Sequence, residues 1–206
     1  MDATLYKINV KIADMDAGYY HSHRLILARH PSETLERMMV RLLAFVLYAS
    51  DTLSFGRGLC VEDEPALRQE DAAGRLELWI DVGLPEARAV RKACRRAEHV
   101  VVLAYGRGAD QWWQRQRENL TRLPNLSVLK IEPQQSEALA QLAQRNLDLT
   151  CTIQEGMVCL LSSGHSVTIE PVPLLTAEWG ATTPATLGHS RRVSHPAPFP
   201  LAGSAA

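Results

Sequence analysis

Arg75-Leu76-Glu77-Leu78-Trp79-Ile80-Asp81-Val82, followed by Gly83-Leu84-Pro85-Glu86 and then Ala87-Arg88-Ala89-Val90-Arg91-Lys92-Ala93-Cys94-Arg95-Arg96, decides how this chain is read. The even positions 76–82 are all aliphatic, while Glu77, Trp79 and Asp81 share the opposite face of a strand. Pro85 suits a first helical turn, and Glu86 favours its positive dipole end. Along the helix that follows, Arg88, Arg91, Lys92, Arg95 and Arg96 recur at helical spacing and form one cationic stripe. A strand with two carboxylates feeding a helix with five cations suits divalent-cation and phosphate chemistry. Its ordinary alternative is a salt-bridged sheet edge beside an exposed helix face, which carries no chemistry.

Working outward, the flanking patterns predict an α/β fold, a mixed sheet with flanking helices. Tyr6, Ile8, Val10 and Ile12 alternate with polar neighbours, and a turn at 14–18 returns the chain through 19–28 as an added N-terminal β-hairpin. After Pro31, Leu35, Met38, Met39, Leu42, Leu43, Val46 and Leu47 predict a helix packed on the sheet. Leu53 to Leu59 reads as a third strand, with Gly56 and Gly58 marking a bulge or a close approach. A polar connector, 61–74, would make that strand an antiparallel neighbour of the carboxylate strand. Beyond it, strands at 99–105 and 126–131 alternate with helices at 110–120 and 137–146, which predicts parallel pairing through right-handed crossovers. A last hairpin turns at Glu155-Gly156. The domain is expected to span 1–179. Residues 180–206, rich in Pro, Ala, Ser and Thr, are expected to be a disordered tail.

Composition sets bounds. The 206 residues carry a formal net charge of −1, so any nucleic-acid surface must be a local patch rather than a global field. Four cysteines occur without a Cys-x-x-Cys pair, which points to buried free thiols in a reducing cytoplasm. No apolar run is long enough for a spanning helix, so no membrane role is expected. Gly106-Arg107-Gly108 lacks the third glycine of a dinucleotide fingerprint, so no nucleotide cofactor is expected either. His21 and His23 sit at metal-capable spacing but lack further ligands, and Trp112-Trp113 reads as helix packing.

Several separated segments carry a family resemblance. His30-Pro31-Ser32-Glu33-Thr34 with Leu35-Glu36-Arg37-Met38-Met39, Gly58-Leu59-Cys60 with Asp63-Glu64-Pro65, and Leu78 through Pro85 running on to Arg91-Lys92-Ala93-Cys94 resemble the YaeQ family. Trp112-Trp113 and Asn125-Leu126-Ser127-Val128 extend the similarity over about residues 1–178. The resemblance implies a variant of the restriction-endonuclease-like core, the PD-(D/E)xK fold, whose site needs two acids and a lysine. Mapped here, Asp63 is the first acid and Glu77 the second, together holding Mg²⁺ or Mn²⁺. The motif is incomplete: Trp79 stands where the lysine belongs, so Lys92 on the next helix is the candidate substitute. Glu36 is a candidate further ligand.

Asp81 is the alternative second acid. Glu77 and Asp81 lie roughly 13 Å apart along a strand, too far to share one ion. Arg88, Arg91, Arg95 and Arg96 are the candidate phosphate contacts. Two functions follow as expectations: metal-dependent cleavage of DNA or RNA phosphodiesters, or a non-catalytic module binding nucleic acid or a protein partner.

Overall fold

The computed structural model describes residues 3–56 and 64–177. Asp63, the rest of the predicted third strand and the whole of the 180–206 tail therefore lie outside the described residues. In chain order the elements are β1 (Thr4–Asp14), β2 (Tyr19–Arg29), α1 (Leu35–Leu47), β3 (Ser54–Phe55), β4 (Leu67–Glu70) and β5 (Leu76–Val82). There follow α2 (Ala87–Cys94), β6 (Ala97–Tyr105), α3 (Ala109–Leu120), β7 (Leu126–Ile131) and α4 (Pro133–Gln141). The described chain ends with β8 (Asn146–Gln154), β9 (Met157–Ser162), β10 (His165–Ile169) and β11 (Val172–Leu175).

These strands make two mixed sheets rather than one. The first has the order β10-β9-β8-β1-β2, and the second β11-β7-β6-β5-β4-β3. The predicted N-terminal hairpin forms with unbroken register from Thr4↔Arg29 to Asp14↔Tyr19. The predicted parallel run also forms, as β5, β6 and β7. Local pattern does not reveal that β1 pairs in parallel with β8, a partner more than 130 residues away. That pairing makes the N-terminal hairpin one end of a separate sheet, with β1 internal and β2 at the edge.

Three local expectations are corrected. The third strand is not the neighbour of β5, because β4 lies between them. The last helix starts at Pro133, a residue suited to a first turn, and ends at Gln141. Asn146, expected inside that helix, opens β8, where Leu147, Leu149, Cys151 and Ile153 alternate inward. Cys151 is the only fully buried thiol among the described cysteines; Cys94 is half-buried and Cys159 exposed. Gly56 does mark a close approach, since a Cβ there would collide with the Pro65 carbonyl. Among the described residues no helix is long and apolar enough to cross a membrane.

Helix α1 is the centre of the packing. Thr34 caps it by accepting a hydrogen bond from the Arg37 N–H at 3.1 Å. Every residue from Met38 to Leu47 is buried, so beyond its first turn the helix has no solvent face. One core joins it to the inner face of the first sheet and to Leu78, Ile80, Val82, Val101 and Leu103 of the second. A second core, built on Trp79, Val100, Val102 and Val128, seats α2 and α3 on the other face of the second sheet. The periodicity predicts a one-sided stripe; in the structure only Leu35, at the first turn, departs from burial among its members.

Arg41 is the exception that needs explaining, since it is 1% exposed in the middle of this core. Its Nη2 donates to Glu33 Oε2 at 2.8 Å and to the Ala28 carbonyl at 3.1 Å. Glu33 Oε1 accepts from Arg37 Nη1 at 3.1 Å. Arg29 Nη1 donates to the Glu33 carbonyl at 3.0 Å, which ties the end of β2 into the same network. Removing the carboxylate would strand a buried guanidinium. Glu33→Ala is therefore expected to destabilise the fold by about 3–5 kcal/mol. Arg37→Ala, at the solvent-facing rim, should cost clearly less, as measured by urea unfolding of both variants.

Candidate functional site

Strand β5 sends its carboxyl end into a turn that forms the wall of a cleft of about 320 Å³. Gly83 has φ +116°, a conformation that disfavours side chains, and its N–H donates to the Leu103 carbonyl at 2.9 Å. The following loop is pinned where Trp112 Nε1 donates to the Pro85 carbonyl at 2.8 Å. Trp112 thus packs and anchors, as its place on a helix suggests. Arg37 of α1, Glu64, Trp79 and Asp81 of β5, and Lys92 and Arg96 from α2 and its exit line the cleft. In open α/β sheets, ligand sites gather at such carboxyl strand ends.

Of the two carboxylates on β5, Asp81 is the one that the fold brings to this cleft. Burial pushes its carboxyl above the ordinary range; the Trp79 indole, the Arg37 guanidinium and the Ala66 N–H pull it partly back. Trp79 Nε1 is buried without a hydrogen bond of standard geometry, and its N–H still favours the charged form of Asp81. The Arg96 guanidinium lies over the Trp79 ring, 5.0 Å from its centre. The position two residues after Glu77, where the expected motif would place a lysine, is thus a buried indole with an arginine over it.

The structure separates the other predicted residues. Glu77 does not line the cleft: its Oε2 accepts from Gln69 Nε2 at 2.9 Å, and Gln69 Oε1 accepts from Ser50 Oγ at 2.8 Å. Glu36 also stays outside the lining, where its Oε1 accepts from Ser136 Oγ at 2.6 Å and ties α1 to α4. The cationic stripe divides. Ala89, Lys92, Ala93 and Arg96 face the cleft, whereas Arg88, Arg91 and Arg95 do not line it. Helix α2 ends at Cys94, with Arg95 as its C-cap and the Arg96 N–H donating to the Ala93 carbonyl at 2.9 Å. Asp63 lies outside the described residues, but its neighbour Glu64 lines the cleft.

His21 and His23 stack with Tyr19, whose hydroxyl pairs with His23 Nε2 at 2.7 Å. Among the described residues no three or more His, Cys, Asp or Glu side chains gather as a metal-capable group. Sequence reasoning passed over Glu33, Arg37 and Tyr105. The Tyr105 hydroxyl is raised mainly by burial, with Arg37, Glu36, Thr34 and Glu33 around it. The signal for the first two was present, since Glu33, Arg37 and Arg41 follow at i, i+4 and i+8.

Comparison with known proteins agrees with this architecture. The family model described as YaeQ protein matches residues 1–171. The chain belongs to the YaeQ family. It is 41% identical over 171 residues to the uncharacterised protein YaeQ of Escherichia coli (strain K12), covering 82% of this chain and 94% of that protein. It is 42% identical over 172 residues to the YaeQ of Salmonella typhi, with the same coverage. The crystal structure of YaeQ from Xanthomonas axonopodis pv. citri superposes with a TM-score of 0.81 at 47% identity, covering 84% of this chain and 98% of that one. That of YaeQ from Pseudomonas syringae gives 0.81 at 34% identity, covering 84% and 97%. The two-sheet arrangement described above is thus similar to that of solved YaeQ structures.

Asp81 supplies a test of the cleft's electrostatics. Its folded pKa lies above the unfolded value, so the folded state binds this proton more tightly. Ionised Asp81 therefore opposes folding above both values, and the opposition disappears below both. Asp81→Asn is expected to raise Tm at about pH 7.5 and to leave it nearly unchanged at about pH 3. Thermal scans at the two pH values check this, and a lower Tm at neutral pH would contradict it.

Proposed function

We propose that the cleft binds a nucleic-acid phosphate beside a divalent cation, Mg²⁺ or Mn²⁺, and assists hydrolysis of the phosphodiester. The observation that carries this reading is the convergence of Asp81, Glu64, Lys92, Arg37 and Arg96 on one cleft at the end of β5. In it Asp81 takes the place that strand pattern gave to Glu77, and the acidic pair Asp63-Glu64 supplies the partner acid.

The donor set fits such a cation. Mg²⁺ is commonly held by one or two carboxylates, with water and substrate phosphate completing its shell. Asp81 and Glu64 offer two carboxylates to one cleft, and Asp81 is a partly buried acid whose charged form a cation would favour. When bound, the cation would neutralise phosphate charge and acidify a water molecule. The chain's own contributions follow from placement. Lys92 would orient the attacking water or steady the charge on phosphorus-bound oxygen. Arg96 holds its guanidinium at the cleft while its face is spent on the Trp79 ring.

A second reading has its own observation. Trp79 fills the lysine position of the nuclease motif, and an indole carries neither the positive charge nor the acid–base capacity of an ammonium. That favours a cleft which binds nucleic acid without cutting it. Titration calorimetry with Mn²⁺, paired with cleavage of a labelled single-stranded oligonucleotide, separates the two. The hydrolytic reading expects saturable Mn²⁺ binding, lost in Asp81→Asn and kept in Glu77→Gln, with cleavage abolished in Asp81→Asn and Lys92→Met. Oligonucleotide binding without Mn²⁺ binding or cleavage would leave only the second reading.

A further inference from the structure

Among the cations that line the cleft, the anchoring of Arg37 is explicit in its geometry. Lys92 stands on an exposed helix surface, and the Arg96 guanidinium sits over the Trp79 indole. Arg37 is clamped from behind by a buried carboxylate. Its Nη1 donates to Glu33 Oε1 at 3.1 Å, and the Glu33 side chain is 0% exposed while that of Arg37 is 22% exposed. The other Glu33 oxygen is occupied by Arg41, so the carboxylate cannot rotate to follow Arg37 outward.

A guanidinium presents a planar fork of donors. Here one arm is fixed to the protein, and among the described residues no other hydrogen bond of this side chain is formed. Its side chain also lines the cleft with Asp81. A planar fork fixed on one edge and open on the other suits an oxyanion with two oxygens to offer, and a phosphate is such a group. The local charge agrees, because Arg37 and Arg41 share the single carboxylate of Glu33 while Arg29 binds its backbone carbonyl.

We propose that Arg37 is the cleft's pre-positioned phosphate-recognition residue and that Glu33 is its positioning residue. This rests on the reading that the cleft takes a nucleic-acid phosphate. It adds a residue from the first helix, where neither the strand acids nor the basic helix directs attention. Glu33 acts twice: it holds the fold around Arg41 and aims Arg37. The gain is entropic, since a long cationic side chain ordered before binding loses less freedom on binding.

The test is binding of a fluorescein-labelled single-stranded DNA 12-mer, by anisotropy across a salt series. Arg37→Met is expected to weaken binding about tenfold and to flatten the dependence of log K on log salt by about one contact. Arg37→Lys keeps the charge, so it should retain the salt slope while recovering only part of the affinity. Glu33→Gln should lower affinity with an unchanged slope, because the cation remains but is no longer aimed; circular dichroism checks its folding. Should that variant fail to fold, the Met and Lys slopes at position 37 decide. Wild-type affinity and slope in Arg37→Met, with loss in Lys92→Met, would overturn the role of Arg37 and leave the cleft reading standing. Unchanged binding in both variants would place the DNA elsewhere and overturn both readings, as would absence of binding by the wild type. An Arg37→Met effect confined to Mn²⁺ affinity would make Arg37 a counterion of Asp81 and overturn its phosphate role.

Discussion

A carboxylate sealed from water must be met by donors on every side, and Glu33 imposes that requirement on this fold. Arg41 reaches it from the middle of α1, Arg37 from one turn along, and Arg29 grips its backbone carbonyl from the end of β2. Burying charges is costly, and pairing repays the cost only when geometry is good. Burial holds the Arg41 guanidinium below its ordinary range, with Glu33 pulling it back. Its plane also lies 6.0 Å from the centre of the Phe55 ring, so even the apolar surroundings contribute. The network fixes where α1 enters the space between the two sheets. It thereby fixes how the cationic rim of α1 meets the end of β5.

That linkage explains why the cleft forms where it does. Helix α1 and the second sheet share one apolar core, while α2 packs on the other face through Trp79, Val90 and Ala93. Beyond the end of β5 the two layers no longer meet, and the space between them is lined by polar groups from both. Gly83 makes the turn that opens it, and Trp112 holds the far side through Pro85. The site is therefore a product of packing two helices on opposite faces of one strand.

Local pattern carried much of this. The alternation in Tyr6, Ile8, Val10 and Ile12, the periodicity of α1 and the aliphatic run of β6 each correspond to an observed element. What escaped was nonlocal or short. The parallel pairing of β1 with β8 depends on residues far apart, and two-residue β3 and four-residue β4 carry too little pattern to announce themselves. In the site, alternation put Glu77 and Asp81 on one face but could not say which end of β5 runs out into a cleft. A helical stripe likewise assigned five cations to one face, although α2 is broad enough for Lys92 and Arg96 to diverge from Arg88, Arg91 and Arg95. Glu33 and Arg41 were legible as spacing, yet burial of an ion pair is decided by tertiary packing.

We propose that the residues at the end of β5 form the cation-binding centre. Anomalous diffraction from crystals soaked in MnCl₂ tests it most directly, because it locates an ion without reference to any substrate. The account predicts a peak within coordinating distance, about 2.1–2.3 Å, of an Asp81 carboxylate oxygen. A peak at Glu77 or Glu36 with none at Asp81, or no peak in the cleft at all, would contradict it.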